Sequence, residues 1–141
     1  MEIATALMRA GMTVLRPLSA VRYDLVVDMG GGVFTRVQCK TGILRNGRVL
    51  FRVCSADSRH PLGVNYEGQA DAFGVYCPQL ATSYLVPMSA VAGLGIVASL
   101  RVDPREIDRS NTSGMRATTR SGLQPRLSSA GLGLRRGPVP E

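Results

Sequence analysis

Apolar positions along the chain fall into one stripe at helical spacing and several short runs at strand spacing. Ile3, Ala6, Leu7 and Ala10 recur at intervals of three and four, and Gly11 supplies a stop. That pattern predicts a short amphipathic helix over Glu2–Ala10. Met12–Arg16 is a β-prone run closed by Pro17. Tyr23–Asp28 and Gly32–Lys40 alternate apolar and polar positions on either side of Met29-Gly30-Gly31-Gly32, as two strands of a hairpin do. Arg48–Cys54 predicts another strand after a tight turn at Asn46-Gly47, and Ser55–Gly68 reads as loop. Ala72–Tyr76 and Ser83–Val86 form a further strand pair around Cys77-Pro78-Gln79, and Ser99–Val102 can add a short edge strand. A helix packed on a mixed, mainly antiparallel sheet follows, an α/β (α+β) architecture.

From Ser110 onward the composition turns to Ser, Thr, Gly, Arg and Pro, and the leucines are too scattered to define a face. Such a segment buries too little apolar surface to offset the entropy of ordering it. The 141-residue chain therefore reads as one domain over 1–109 and a disordered tail over 110–141.

The net charge of +7 comes from sixteen arginines and a single lysine, Lys40, against ten acids. Arginine used almost throughout reflects the habit of a genome more than a demand for phosphate binding, so the one retained lysine needs its own explanation. More than half of the excess charge lies after Asn111, and the predicted domain is only mildly basic. Cys39, Cys54 and Cys77 sit in or beside apolar runs without a CxxC pair, which suits buried, reduced thiols in a cytoplasmic protein. Neither these spacings nor the lone His60 make a zinc ligand set. No apolar run has the length of a membrane span, and a soluble protein is expected.

If the hairpin turns about Gly31, Asp28 opposes Phe34 and Asp24 opposes Gln38. Side chains alternate along strands. One face then carries Asp24, Val26, Asp28, Phe34, Arg36, Gln38 and Lys40, and the other Leu25, Val27, Thr35, Val37 and Cys39. Opposed residues on one face have Cβ atoms roughly 4.5–5.5 Å apart, and Lys40 lies diagonally across from Asp24. A carboxylate from Asp24, the amide oxygen of Gln38 and the backbone carbonyl of Cys39 are hard oxygen donors of the kind Mg²⁺ prefers. Lys40 can orient or deprotonate an attacking water, so Asp24, Gln38 and Lys40 suit phosphodiester hydrolysis. A one-residue slip of register would put Asp24 and Gln38 on opposite faces. On spacing alone, the commoner meaning of an Asp and a Lys across a hairpin is a surface ion pair without function.

The segments RYDLVVD (22–28), RVQCKTG (36–42), YEGQ (66–69), DAFGVYCP (71–78) and YLVP (84–87) resemble the group I intron-associated PD-(D/E)XK endonucleases, over about residues 3 to 103. The resemblance implies a restriction-endonuclease-like core, related to Holliday-junction resolvases, acting on double-stranded DNA with Mg²⁺ in the manner of a homing endonuclease. It assigns the metal-binding aspartate to Asp24, the motif lysine to Lys40, and to Gln38 the place where the wider superfamily has Asp or Glu. Asp71 falls on an aspartate of the group and reads as a capping or packing residue. The group's first helix carries a glutamate about eleven residues, or three helical turns, before the glycine matched by Gly11. That position falls just upstream of Met1, and Glu2 stands two residues away, about 200° around the helix. Either a start codon lies further upstream or this version lacks one ligand.

Three functions follow: a homo-oligomeric endonuclease, since one site cuts one strand; a DNA-binding relative impaired in cleavage; and a non-enzymatic scaffold in which Asp24 and Lys40 are only an ion pair. Thr41–Arg48 and Ser55–Gly68, with His60 in the second, are the loops expected to contact base edges.

Overall fold

The computed structural model describes residues 1–57, 59–102 and 115–117. Helix α1 (Glu2–Arg9) leads into β1 (Thr13–Leu15), which pairs with β2 (Leu25–Asp28). β2 turns through Gly30, Gly31 and Gly32, all at positive φ, into β3 (Phe34–Thr41). The register runs from Leu25 opposite Val37 to Asp28 opposite Phe34, as the hairpin spacing requires. Next come β4 (Ile43–Arg45) and β5 (Arg48–Arg52), joined at Asn46 and Gly47, whose φ angles of 51° and 70° make the expected tight turn. β6 (Cys54–Asp57) and β7 (His60–Asn65) form a two-stranded ribbon. The chain continues through β8 (Ala72–Cys77), a 3₁₀ turn at Pro78–Leu80, β9 (Thr82–Pro87), the one-turn α2 (Met88–Val91), β10 (Val97–Arg101) and β11 (Met115–Ala117).

The main sheet has the order β1-β2-β3-β8-β9-β11, with β3–β8 and β9–β11 parallel and the other pairs antiparallel. α1 covers one face. Its Ile3, Ala4 and Leu7 pack with Leu25, Val27, Val37 and Ala72, the apolar face foreseen for the hairpin. Burying side chains the size of Ile3 and Leu7 contributes roughly 1.5–3 kcal/mol each. The approach is close because β8 has a glycine beneath the helix: a Cβ on Gly74 would lie 2.7 Å from Ile3 Cγ2.

The opposite face is covered as well. The smaller sheet β10-β5-β4 brings Val49, Phe51, Ala98 and Leu100 onto Phe73, Val75, Cys77, Tyr84 and Val86, with Tyr66 among them. Phe73 meets both Phe51 and Tyr66 edge-on, at 5.7 Å between ring centroids in each case. The face expected to be mostly polar on the hairpin is therefore apolar one strand over, and Gln38 and Lys40 sit at the margin of a second core.

Several expectations change. Ser55–Gly68 is largely the β6–β7 ribbon, and His60 is an exposed strand residue. Pro61 and Gly63 mask that ribbon in the sequence. Gly63 has φ 79°, and a Cβ there would come within 2.6 Å of both Cys54 Sγ and Ser55 O, so the pairing depends on the residue that disguises it. Thr41–Arg48 contains β4 and a tight turn. The strand foreseen over Arg48–Cys54 breaks at Val53 between two sheets. Within the tail expected to be disordered, Met115–Ala117 pairs with β9; the rest of that expectation lies outside the described residues. Among the described residues no helix is long and apolar enough to cross a membrane.

Candidate active site

The site forms where β2 begins and β3 runs on without it. Pairing between them starts at Leu25 and Val37, so the edge of β3 from Gln38 onward has no strand on that side. An open edge leaves backbone groups to be satisfied, and Asp24 satisfies them. Its N–H donates to Val37 O (2.9 Å), and its Oδ2 accepts the Cys39 N–H (2.8 Å). Successive N–H and C=O groups of one residue point the same way along a strand edge, so the Cys39 carbonyl faces the same side. Gln38 Nε2 joins these two acceptors, donating to Asp24 Oδ2 at 2.6 Å and to Cys39 O at 3.3 Å. Asp24, Gln38 and the Cys39 carbonyl are thus one cluster, and an exposed one on the Asp24 side.

Lys40 belongs to the same strand but does not pair with Asp24. Its ammonium donates to Cys54 O (3.2 Å) and Tyr66 Oη (3.1 Å) and lies 4.7 Å from the Tyr66 ring centroid. The simple Asp24–Lys40 ion pair is therefore replaced by a lysine held at the root of the ribbon. Among the described residues no protein acceptor takes the third Lys40 N–H.

Asp71 is engaged by Arg36. Its carboxylate takes Arg36 Nη2 on Oδ1 (2.8 Å), and Arg36 Nε (3.0 Å) and backbone N–H (2.8 Å) on Oδ2, while its own N–H donates to Arg36 O. That fork fixes the start of β8 against β3. The Arg36 guanidinium holds the Asp71 carboxyl below the ordinary carboxylate range, and the carboxylate raises Arg36 in return. All three cysteines are free; Cys54 and Cys77 are buried and Cys39 half-buried. Burial, followed by the charge of Asp24, pushes the Cys39 thiol up to about 11.

A hollow of about 470 Å³ lies in front of Asp24 and Cys39, walled by Met1, Ile3 and Ala4 of the N-terminal segment and by residues between Arg16 and Leu25. Met1 lines it and Glu2 does not; Glu2 lines a smaller hollow of about 200 Å³ on the other side of Cys39, shared with Lys40. Among the described residues no three His, Cys, Asp or Glu side chains gather as a metal cluster. A cation here would be held by one carboxylate and neutral oxygens. That set fits a hard divalent ion: Gln38 Nε2 already occupies the point between Asp24 Oδ2 and Cys39 O, and a half-turn of the amide presents Oε1 instead. Sequence reasoning missed Arg22 and Tyr66, which contact Lys40 or its neighbours from a loop and from beyond the ribbon.

The family model for PD-(D/E)XK endonucleases matches residues 1–118, and the chain belongs to that family. Among solved structures it is similar to a bacterial homing endonuclease, I-Ssp6803I, with 25% sequence identity and a TM-score of 0.51 over 73% of this chain and 76% of that one. No curated protein matches it. The α+β core with its N-terminal helix is the fold of a nuclease family.

Proposed function

We propose that this chain is a Mg²⁺-dependent, homing-type endonuclease that hydrolyses phosphodiester bonds in double-stranded DNA, in the cytoplasm and as a homo-oligomer. The observation that carries the proposal is the single cluster in which Gln38 Nε2 bridges Asp24 Oδ2 and Cys39 O, next to a lysine held within the same strand. Asp24, the Gln38 amide oxygen after its half-turn, and the Cys39 carbonyl would hold the cation. When bound, a divalent cation supplies Lewis acidity toward the phosphate and a lowered pKa for water. Among the described residues one Lys40 N–H has no acceptor, and it could orient the attacking water or the phosphate beside it. Only Asp24 brings negative charge, so the affinity for Mg²⁺ is lower than at a two-carboxylate site. Homo-oligomerisation follows from function, since one site cuts one strand.

A second reading, a relative that binds DNA without cutting it, rests on Glu2 not reaching the hollow in front of Asp24. Supercoiled plasmid incubated with the protein in Mg²⁺ or in EDTA separates the two. Nicked circles in Mg²⁺ alone support the endonuclease; a shifted but intact plasmid supports the binder; neither binding nor nicking contradicts both.

A further inference from the structure

Tyr66 has a cation on each of two approaches. The residue is 6% exposed, its ring edge-on to Phe73, with Lys40 Nζ 4.7 Å and Arg22 Cζ 4.5 Å from the centroid. Lys40 also donates to the Tyr66 hydroxyl. Arg22 is fixed by every part of its fork: Nε donates to Gln69 Oε1 (2.7 Å), Nη1 to Ser55 Oγ (3.1 Å), and Nη2 to Val64 O (3.3 Å) and Asn65 O (2.9 Å). All four acceptors are neutral. A surface ion pair would recruit a carboxylate; this guanidinium instead spans β6, β7 and the turn beyond them, with its Cζ 4.5 Å from the centre of the ring. Planar guanidinium groups are suited to both tasks at once.

We infer that Arg22 and Tyr66 are positioning residues for Lys40: Arg22 locks the ribbon and the Tyr66 ring, and Tyr66 with the Cys54 carbonyl fixes the ammonium beside the Asp24 cluster. The role in catalysis rests on the endonuclease reading; the placement of Lys40 does not. Two neighbouring cations would drift apart into solvent if nothing lay between them. Tyr66 holds both, Arg22 against its ring and Lys40 chiefly through its hydroxyl, so the lysine stays at the hydroxyl end of the ring. Arg22 stands two residues before Asp24, so one short stretch of chain supplies both the carboxylate and the clamp.

Lys40 is the chain's only lysine, so protein labelled with ¹³C at lysine Cε gives one side-chain signal, free of overlap. In the wild type the contacts of Lys40 with Tyr66 and the Cys54 carbonyl set that signal apart from the free-lysine position. It returns to the free-lysine position in Tyr66→Leu and moves toward it in Arg22→Gln. Gln69→Ala, which removes one exposed acceptor and leaves the ribbon's own pairing alone, shifts it part of the way; circular dichroism verifies that each variant is folded. Tyr66→Phe removes the hydroxyl acceptor alone. Its DNA nicking rate at saturating Mg²⁺ falls about tenfold with little change in KM, in keeping with the effect of sub-ångström misplacement. Adding Tyr66→Phe to Lys40→Ala slows nicking no further. A wild-type signal at the free-lysine position, or one that neither Arg22→Gln nor Gln69→Ala moves, overturns the inference. Failure of the wild type to nick DNA overturns the functional reading instead, and the displacement then decides by itself whether Arg22 and Tyr66 hold Lys40.

Discussion

Gln38 Nε2 donates to Asp24 Oδ2 at 2.6 Å, so the amide stands at the point between Asp24 and the Cys39 carbonyl that a cation would take. Gln38→Glu replaces that bond with two facing carboxylates. Without metal the variant is predicted to lose up to about 1 kcal/mol, because Asp24 is exposed and solvent screens the repulsion. With Mg²⁺ the order reverses, because the second charge tightens binding and ligand linkage stabilises the folded state. Thermal unfolding with and without Mg²⁺ measures both. A variant as stable as wild type in EDTA and no more responsive to Mg²⁺ would contradict this role for Gln38.

The register behind that contact was legible in the sequence, because a symmetric glycine turn between two alternating runs leaves little freedom in which residues face each other. Leu25, Val27 and Val37 could be assigned to the core under α1 on alternation alone. The position of Lys40 could not. Its partners, Cys54 O and Tyr66, come from the ribbon and from the turn after it, and the ribbon was hidden by Pro61 and Gly63. The second core was equally hidden: Phe73 and Val75 show on which face they lie only once β8 is known to run parallel to β3. Long-range parallel pairing leaves no local signal comparable to a hairpin. Membership of a nuclease family was legible through resemblance and not through hairpin geometry, which an ion pair would have explained as well.

Gly74→Ala tests how α1 is seated. The new methyl would meet Ile3 Cγ2 at 2.7 Å and lift the helix that walls the hollow before Asp24. Overpacking of this kind is predicted to destabilise by about 1–3 kcal/mol. The double variant Ile3→Ala, Gly74→Ala recovers part of the loss that the two single changes would add up to, a coupling readable from urea unfolding curves. Strict additivity would show that the helix is not seated on Gly74.

The Arg36–Asp71 fork predicts a pH dependence. Asp71 titrates below its unfolded value of about 3.9, because Arg36 favours the carboxylate. The stabilisation is therefore present above about pH 4 and is lost as pH falls through the lower, folded value. Asp71→Asn should lower the melting temperature by a few degrees at pH 7, and the gap to wild type should close as the solution is acidified. Both side chains are more than a third exposed, so solvent screening keeps the effect modest. A gap that widens in acid has the wrong sign for this account.

Cys39 offers a second titration beside the site. Burial and Asp24 favour its neutral thiol up to about 11, so the stability this contributes is complete below the ordinary thiol range and disappears as pH rises through that value. Alkylation of Cys39 by iodoacetamide should be slow at pH 8 and accelerate toward pH 11. Asp24→Asn removes the repelling charge and should make the thiol more reactive at pH 8. Equal rates in the two proteins would mean that the carboxylate does not act on Cys39.

Single-turnover cleavage of DNA by wild type, Asp24→Asn and Lys40→Ala, at saturating Mg²⁺ and with DNA affinity measured alongside, tests the central claim most directly. The account predicts that both variants still bind DNA within a few fold of wild type. It predicts that each loses about 10²–10⁴ in cleavage rate, the range expected for a positioned proton-transfer or charge-stabilising group. Cleavage that persists at the wild-type rate in either variant would contradict it.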